Sequence, residues 1–200
     1  GSFAKHPQLL TPEQEEKYFS EWEDLGMKSA FDYSRWNECL RPMSGNYVGA
    51  NCMKKRRIGE RLYDFLDAHM SVCVEEVSSE LNIQIEDFHI VHAGIFADRN
   101  HSPRSLHAIG RAIDIKAIKL LKPDGSTQSF VYSKDGHGPF YTKLRACWGK
   151  IVHEKNDCPV RGSLGRTATI GKENADHQHH LHVSVPYCIG GTYAGNYYRR

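Results

Sequence analysis

A chain of 200 residues that is 40% hydrophobic, 25% charged and 10% aromatic carries enough apolar material for one ordinary domain, which excludes a disordered tail, a collagen-like fibre and a low-complexity linker. No run of about 18 apolar residues occurs, so a membrane-spanning helix is excluded too. With 26 basic against 24 acidic residues the net charge is only +2, and the one basic run, Lys54-Lys55-Arg56-Arg57, reads as a solvated helix start and not as a nucleic-acid patch.

In chain order, Thr11-Pro12-Glu13-Gln14 combines an N-cap, a proline at the first helical position and a capping-box partner, and predicts a short helix to about Asp24. The stretch 35–53 holds Pro42, Gly45, Asn46, Gly49, Cys39 and Cys52 without a sustained period, which predicts a disulfide-tied loop. Ile58, Leu62, Phe65, Leu66 and His69 recur at helical spacing, and Val72, Val74, Val77 and Leu81 prolong or restart the pattern. Strands are expected at Phe88 to Ala93 and at Arg111 to Ile115; Pro123-Asp124-Gly125-Ser126 is a turn signal before a third at Phe130 to Tyr132. Phe140 to Ile151 reads as a helix, and His180 to Val185 as a last strand stopped by Pro186. Helices first and a meandering antiparallel sheet afterwards predict an α+β fold, with helices packed on a small sheet and loops tied by disulfides. The expected division is a helical and loop region over 1–86, a core over 87–188 and a tail over 189–200.

Cysteine and histidine are the unusual residues. Six Cys, at positions 39, 52, 73, 147, 158 and 188, contain no CxxC and read as disulfides, with sequence proximity favouring Cys39 with Cys52, Cys147 with Cys158 and Cys73 with Cys188. The opening Gly1-Ser2, without Met or an apolar leader, predicts a mature exported domain from which a signal has been removed, in keeping with an oxidising compartment.

Many of the 12 His cluster in two stretches, His89-His92-His101-His107 and His177-Gln178-His179-His180-Leu181-His182, a pattern that suggests metal or proton chemistry. In Ser105-Leu106-His107-Ala108-Ile109-Gly110-Arg111-Ala112-Ile113-Asp114 a loop histidine precedes a strand carboxylate, with Gly110 between them free to turn the chain so that both aim at one point. Asp114 stands between Ile113 and Ile115, where a charged carboxylate needs a cation or several hydrogen bonds. On a strand, His180 and His182 share a face, and His177 or His179 can approach from the preceding loop. Two imidazoles and one carboxylate leave a fourth tetrahedral position for water, the donor set of a catalytic zinc site. The surplus histidines supply a proton carrier beside it.

These residues resemble the zinc metallopeptidase superfamily of D-Ala-D-Ala carboxypeptidases, murein endopeptidases, lysostaphin-type enzymes and the hedgehog signalling domain. Its first motif, SxHxxGxAxD, is matched by Ser105, His107, Gly110, Ala112 and Asp114. More narrowly, His92 to Ser184 resembles the extensin-like C-terminal domain family, through Gly94-Ile95-Phe96-Ala97-Asp98-Arg99, Leu144-Arg145-Ala146-Cys147 and the closing HxxHxH of His177, His180 and His182; HxxHxH is also similar to that of penicillin-insensitive murein endopeptidase. The resemblance implies that His107, Asp114 and His182 bind Zn2+, that His180 is the base and that His177 supports or replaces it. It further implies that Arg99, with Arg104 as its rival, meets a substrate carboxylate or carbonyl, and that Ser105 hydrogen-bonds near the ligand loop.

The function so expected is hydrolysis of an amide bond in the peptide cross-link of the cell wall, endopeptidase ahead of carboxypeptidase, by a periplasmic or secreted enzyme. Its partners are then peptidoglycan stem peptides, with no nucleic acid, no transmembrane segment and a monomeric state. The competing expectation is a wall- or protein-binding module with a structural or vestigial zinc site.

Overall fold

The computed structural model describes residues 47–49, 62, 64–94, 106–109, 111–156, 166–186, 188–189 and 192–193. The predicted helix from Thr11 and the expected Cys39–Cys52 pair lie outside them, as does the basic run.

The described elements, in order, are strand β1 (Tyr47–Gly49), helix α1 (Ser71–Glu80), β2 (Asp87–Gly94), β3 (Ala112–Leu121), β4 (Thr127–Val131), a one-turn helix α2 (Tyr132–Asp135), α3 (Pro139–Lys155), β5 (Thr169–Ile170), β6 (Leu181–Ser184), β7 (Cys188–Ile189) and β8 (Thr192–Tyr193). The chain is α+β, as the order of its sequence signals implies. Ahead of α1 a wide turn, Leu66–Met70, runs straight into the helix, so the two apolar patterns on either side of His69 form one continuous helical stretch. Pro139 at its first turn starts α3, where its missing N–H costs nothing.

Six strands form one sheet in the order β1-β2-β3-β6-β5, with β4 also on β3. β3 is its axis. One edge of β3 pairs antiparallel with β2 along most of its length; the other is shared, β6 taking Ala112 to Ile115 and β4 taking Ala117 to Leu121. The β3–β4 hairpin turns where expected, with Gly125 at φ 85°, a conformation open to glycine at little cost. Several strand expectations shift, among them the third, which spans Thr127–Val131 and leaves Tyr132 to open α2. β3 runs six residues past Ile115 to Leu121, because β4 gives it a second partner there, and β1 falls inside the stretch read as a disulfide-tied loop, pairing parallel with β2.

Helix α3 and the α1 stretch pack against one face of the sheet. Trp148, Tyr141, Phe140, Leu144 and Val152 of α3 meet Leu62, Phe65, Leu66, Met70 and Val74 in one core with Ile90, Ile113, Ile115, Ile118 and Leu181. Two buried polar groups on α3 are satisfied without breaking that core. The Trp148 indole donates to Ser184 O at 3.1 Å, and the Tyr141 hydroxyl to Phe130 O at 2.6 Å.

One disulfide joins Cys73 on α1 to Cys147 on α3, Cα atoms 5.7 Å apart across 74 residues of sequence. This corrects the expected Cys147–Cys158 and Cys73–Cys188 pairs. Sequence proximity is a weak guide, since closing a longer loop costs only about 0.6 kcal/mol per doubling of its length, and helix packing easily outweighs that. In the region expected as a tail, β7 and β8 pair antiparallel with each other.

Candidate metal centre

The centre is assembled by one register and one turn. In the β3–β6 ladder Asp114 lies directly opposite His182, which brings their side chains to the same face. The short helical turn Leu106–Ile109 lies just ahead of β3, and the Arg111 N–H closes it on Leu106 O at 2.9 Å, setting His107 over that face. Arg111 also braces the site from below, its guanidinium donating to Val185 O and Pro186 O at 2.8 and 2.9 Å, just beyond the end of β6.

Three donor atoms meet there. His107 Nε2 lies 3.0 Å from Asp114 Oδ1 and 3.2 Å from His182 Nδ1, and His182 Nδ1 lies 3.8 Å from Asp114 Oδ1. A tetrahedral ion with bonds of about 2.0–2.1 Å needs donors about 3.3 Å apart, and the three edges bracket that value. All three side chains are buried, at 3%, 6% and 5% exposure for His107, Asp114 and His182. A carboxylate so enclosed is costly unless a cation or good donors face it, and this buried group can hold a metal ion. The residues present therefore fit the metal that the donor chemistry calls for.

Burial also sets the protonation of the histidines. It pushes the pKa of His182 well below the ordinary value, helped by the neighbouring His107 and opposed by Asp114. His177 is lowered by burial first and by His180 second, again against Asp114. Neutral imidazoles present the lone pairs that ligation and proton acceptance require.

The sequence-predicted residues divide three ways. His107, Asp114 and His182 converge as expected. His177 and His180 stand beside them, the His177 ring 5.1 Å from that of His180 and 5.7 Å from that of His182, with His180 Nε2 3.8 Å from Asp114 Oδ1. His180, however, precedes the strand that was expected to carry it. The β3–β6 ladder ends at the Ile115–Leu181 pair because β4 takes over that edge of β3 from Ala117, so His180 shares the site through a bend and not through strand alternation. His179 is exposed. Arg99, Arg104, Ser105 and Gly110 lie outside the described residues.

Two features went unread in the sequence. His92, on β2 opposite Ile115, is 3% exposed, and neither ring nitrogen has a hydrogen-bond partner among the described residues. Burial holds its pKa down to about 4, against the pull of Asp114. Its only signal was membership of the first histidine cluster. The second is a clamp on the chain between β5 and His177. Arg145 of α3 donates two parallel hydrogen bonds to Glu173, at 2.9 and 2.8 Å, and a third from Nε to Thr169 Oγ1 at 2.8 Å. Burial works upward on Glu173, but the Arg145 fork and the Gly171 N–H outweigh it and hold its pKa down to about 2. The Tyr132 hydroxyl accepts from Lys172 N at 2.9 Å, and a Cβ at Gly171 would run into that hydroxyl and the Arg145 guanidinium, which is why glycine stands there.

Compared with known proteins, the chain matches no family model, no curated protein and no solved structure. The site's chemistry therefore rests on its own geometry.

Proposed function

We propose that this chain is a zinc-dependent peptidoglycan hydrolase that cuts an amide bond of the cell-wall peptide cross-link, endopeptidase ahead of carboxypeptidase, in the periplasm or outside the cell. The observation that carries the reading is the meeting of His107 Nε2, Asp114 Oδ1 and His182 Nδ1, with two further imidazoles, His177 and His180, at their side. Three protein donors leave a tetrahedral ion one position for water or substrate, the mark of a catalytic and not a closed structural site. Zinc is the choice among metals for two imidazoles and a carboxylate in this geometry.

When bound, the ion supplies a Lewis acid and lowers the pKa of a water from about 15.7 towards about 7. The chain's own residues do the rest. His107, Asp114 and His182 hold their donors in place from a covered stretch of sheet and a closed turn, so little reorganisation accompanies the reaction. His177 and His180, neither of them part of the donor triangle, are the proton carriers: one takes a proton on a bare ring nitrogen and returns it to the departing amine. Arg99 or Arg104 grips the carboxylate or carbonyl of a stem peptide, with Ser105 beside the ligand loop.

The test is incubation of purified sacculi with zinc-loaded protein, followed by separation of the muropeptides. Release of uncross-linked or shortened muropeptides, lost in Asp114→Ala, is the expected result. An unchanged profile with zinc demonstrably bound would overturn the hydrolase reading.

A further inference from the structure

Asn174 lies in the clamped turn three residues before His177. Its side-chain oxygen accepts two hydrogen bonds, from the Asp176 backbone N–H at 2.9 Å and from His177 Nδ1 at 2.9 Å. The first settles the amide's orientation, because a backbone N–H can only donate and the atom facing it must be the carbonyl oxygen. That oxygen can only accept, so the imidazole nitrogen on its other side must carry the proton. His177 is thereby held as the Nδ1–H tautomer, and its Nε2, which has no partner among the described residues, keeps a bare lone pair.

We propose that Asn174 is a positioning residue that fixes His177 as the Nδ1–H tautomer and so makes His177 Nε2 the proton acceptor of the site. The surroundings keep Asn174 from turning. Its own N–H donates to Gly171 O at 2.9 Å, its carbonyl accepts from His177 N at 3.1 Å and from Gln178 Nε2 at 2.8 Å, and the same Gln178 nitrogen donates to Lys172 O at 2.8 Å. The Arg145–Glu173 fork then ties the whole turn to α3. His180 Nε2, by contrast, faces Asp114 Oδ1 at 3.8 Å. The tautomer follows from geometry alone, whereas its use in proton transfer rests on the hydrolase reading.

The experiment is long-range 1H–15N correlation of the imidazoles in zinc-loaded, 15N-labelled protein at neutral pH, with His177 assigned by the signals that vanish in His177→Gln. Wild-type protein is expected to show His177 protonated at Nδ1 only. Asn174→Ala should shift it to the Nε2–H form or a mixture and lower kcat on sacculi about 10- to 100-fold with KM held, the range for losing a residue that orients a working imidazole. Asn174→Asp, which keeps an acceptor oxygen, should restore the Nδ1–H tautomer and most of the rate. A wild-type His177 protonated at Nε2 overturns the proposal without any variant, and so does an Asn174→Ala protein with an unchanged tautomer. If sacculi resist the wild-type protein while the tautomer is as expected, the hydrolase reading fails and the Asn174–His177 couple stands.

Discussion

The two halves of β3 are built from similar residues and do different work. In the second half Lys119 points to solvent while Ile118 and Leu120 are buried, the alternation of a half-solvated strand, and Lys116 is exposed at the register shift that separates the two halves. In the first half Ala112, Ile113, Asp114 and Ile115 are all buried, because α3 and the α1 stretch cover one face and the His107 turn and the β6 histidine cover the other. A charge on the second half is a surface charge. The same charge on the first half is enclosed and needs a cation or close donors facing it, which His107 at 3.0 Å and the capacity of this group to hold a metal ion provide.

The sharpest way to break that comparison is to remove a charge from each half. Asp114→Ala is expected to weaken zinc binding by about 10³-fold, equivalent to about 4 kcal/mol, as measured by competition with a chromophoric chelator. Lys119→Ala, on the open half, should leave zinc affinity unchanged. The next effect acts on the helical layer over both halves. Opening the Cys73–Cys147 bridge with the double alanine variant should cost about 4 kcal/mol in denaturant unfolding, whereas an unfolding midpoint that reductant leaves unchanged in the wild-type protein would show that the two cysteines are not partners.

A third effect sharpens the contrast through pH. His92 lies on β2 beside the covered half, with its folded pKa depressed from 6.5 to about 4 by burial. A lowered histidine pKa contributes stability above the unfolded value, and that stability is lost as pH falls from about 6.5 to about 4, because only the unfolded chain takes up the proton. Metal-free protein should therefore lose up to about 3 kcal/mol over that window from this group, and His92→Leu should flatten the loss in pH-dependent urea titrations. Glu173 acts lower on the scale: its depressed pKa contributes stability lost as pH falls from 4.5 through about 2. Half of its side chain is exposed, so the Arg145–Glu173 pair should contribute about 1 kcal/mol in a double-mutant cycle. The smallest effect is that of Lys119→Ala on folding, expected within about 0.5 kcal/mol.

What could be read from sequence was what neighbouring residues decide. The helix read at Phe140 to Ile151, the turn at Gly125 and the His107–Asp114 spacing are all written within a few residues, and each was legible. The partners that only the fold brings together were not. Cys73 meets Cys147 because two helices pack, Arg145 meets Glu173 because the chain returns past α3, and β1 joins β2 as a parallel neighbour that no hairpin signal announces. His180 shows the boundary between the two. Alternation on a strand was a sound rule applied one residue too early, because where a ladder ends depends on which strand takes the next stretch of edge. Asn174 was invisible for a related reason, since its role rests on a hydrogen bond whose direction is fixed by a third group.

X-ray absorption at the zinc edge of protein loaded with one equivalent of the metal tests the centre most directly. Two imidazoles and light oxygen donors at about 2.0–2.1 Å, with the imidazole contribution reduced in His182→Ala, are the expected result. A sulfur shell at about 2.3 Å, or an imidazole count untouched by that substitution, would contradict it.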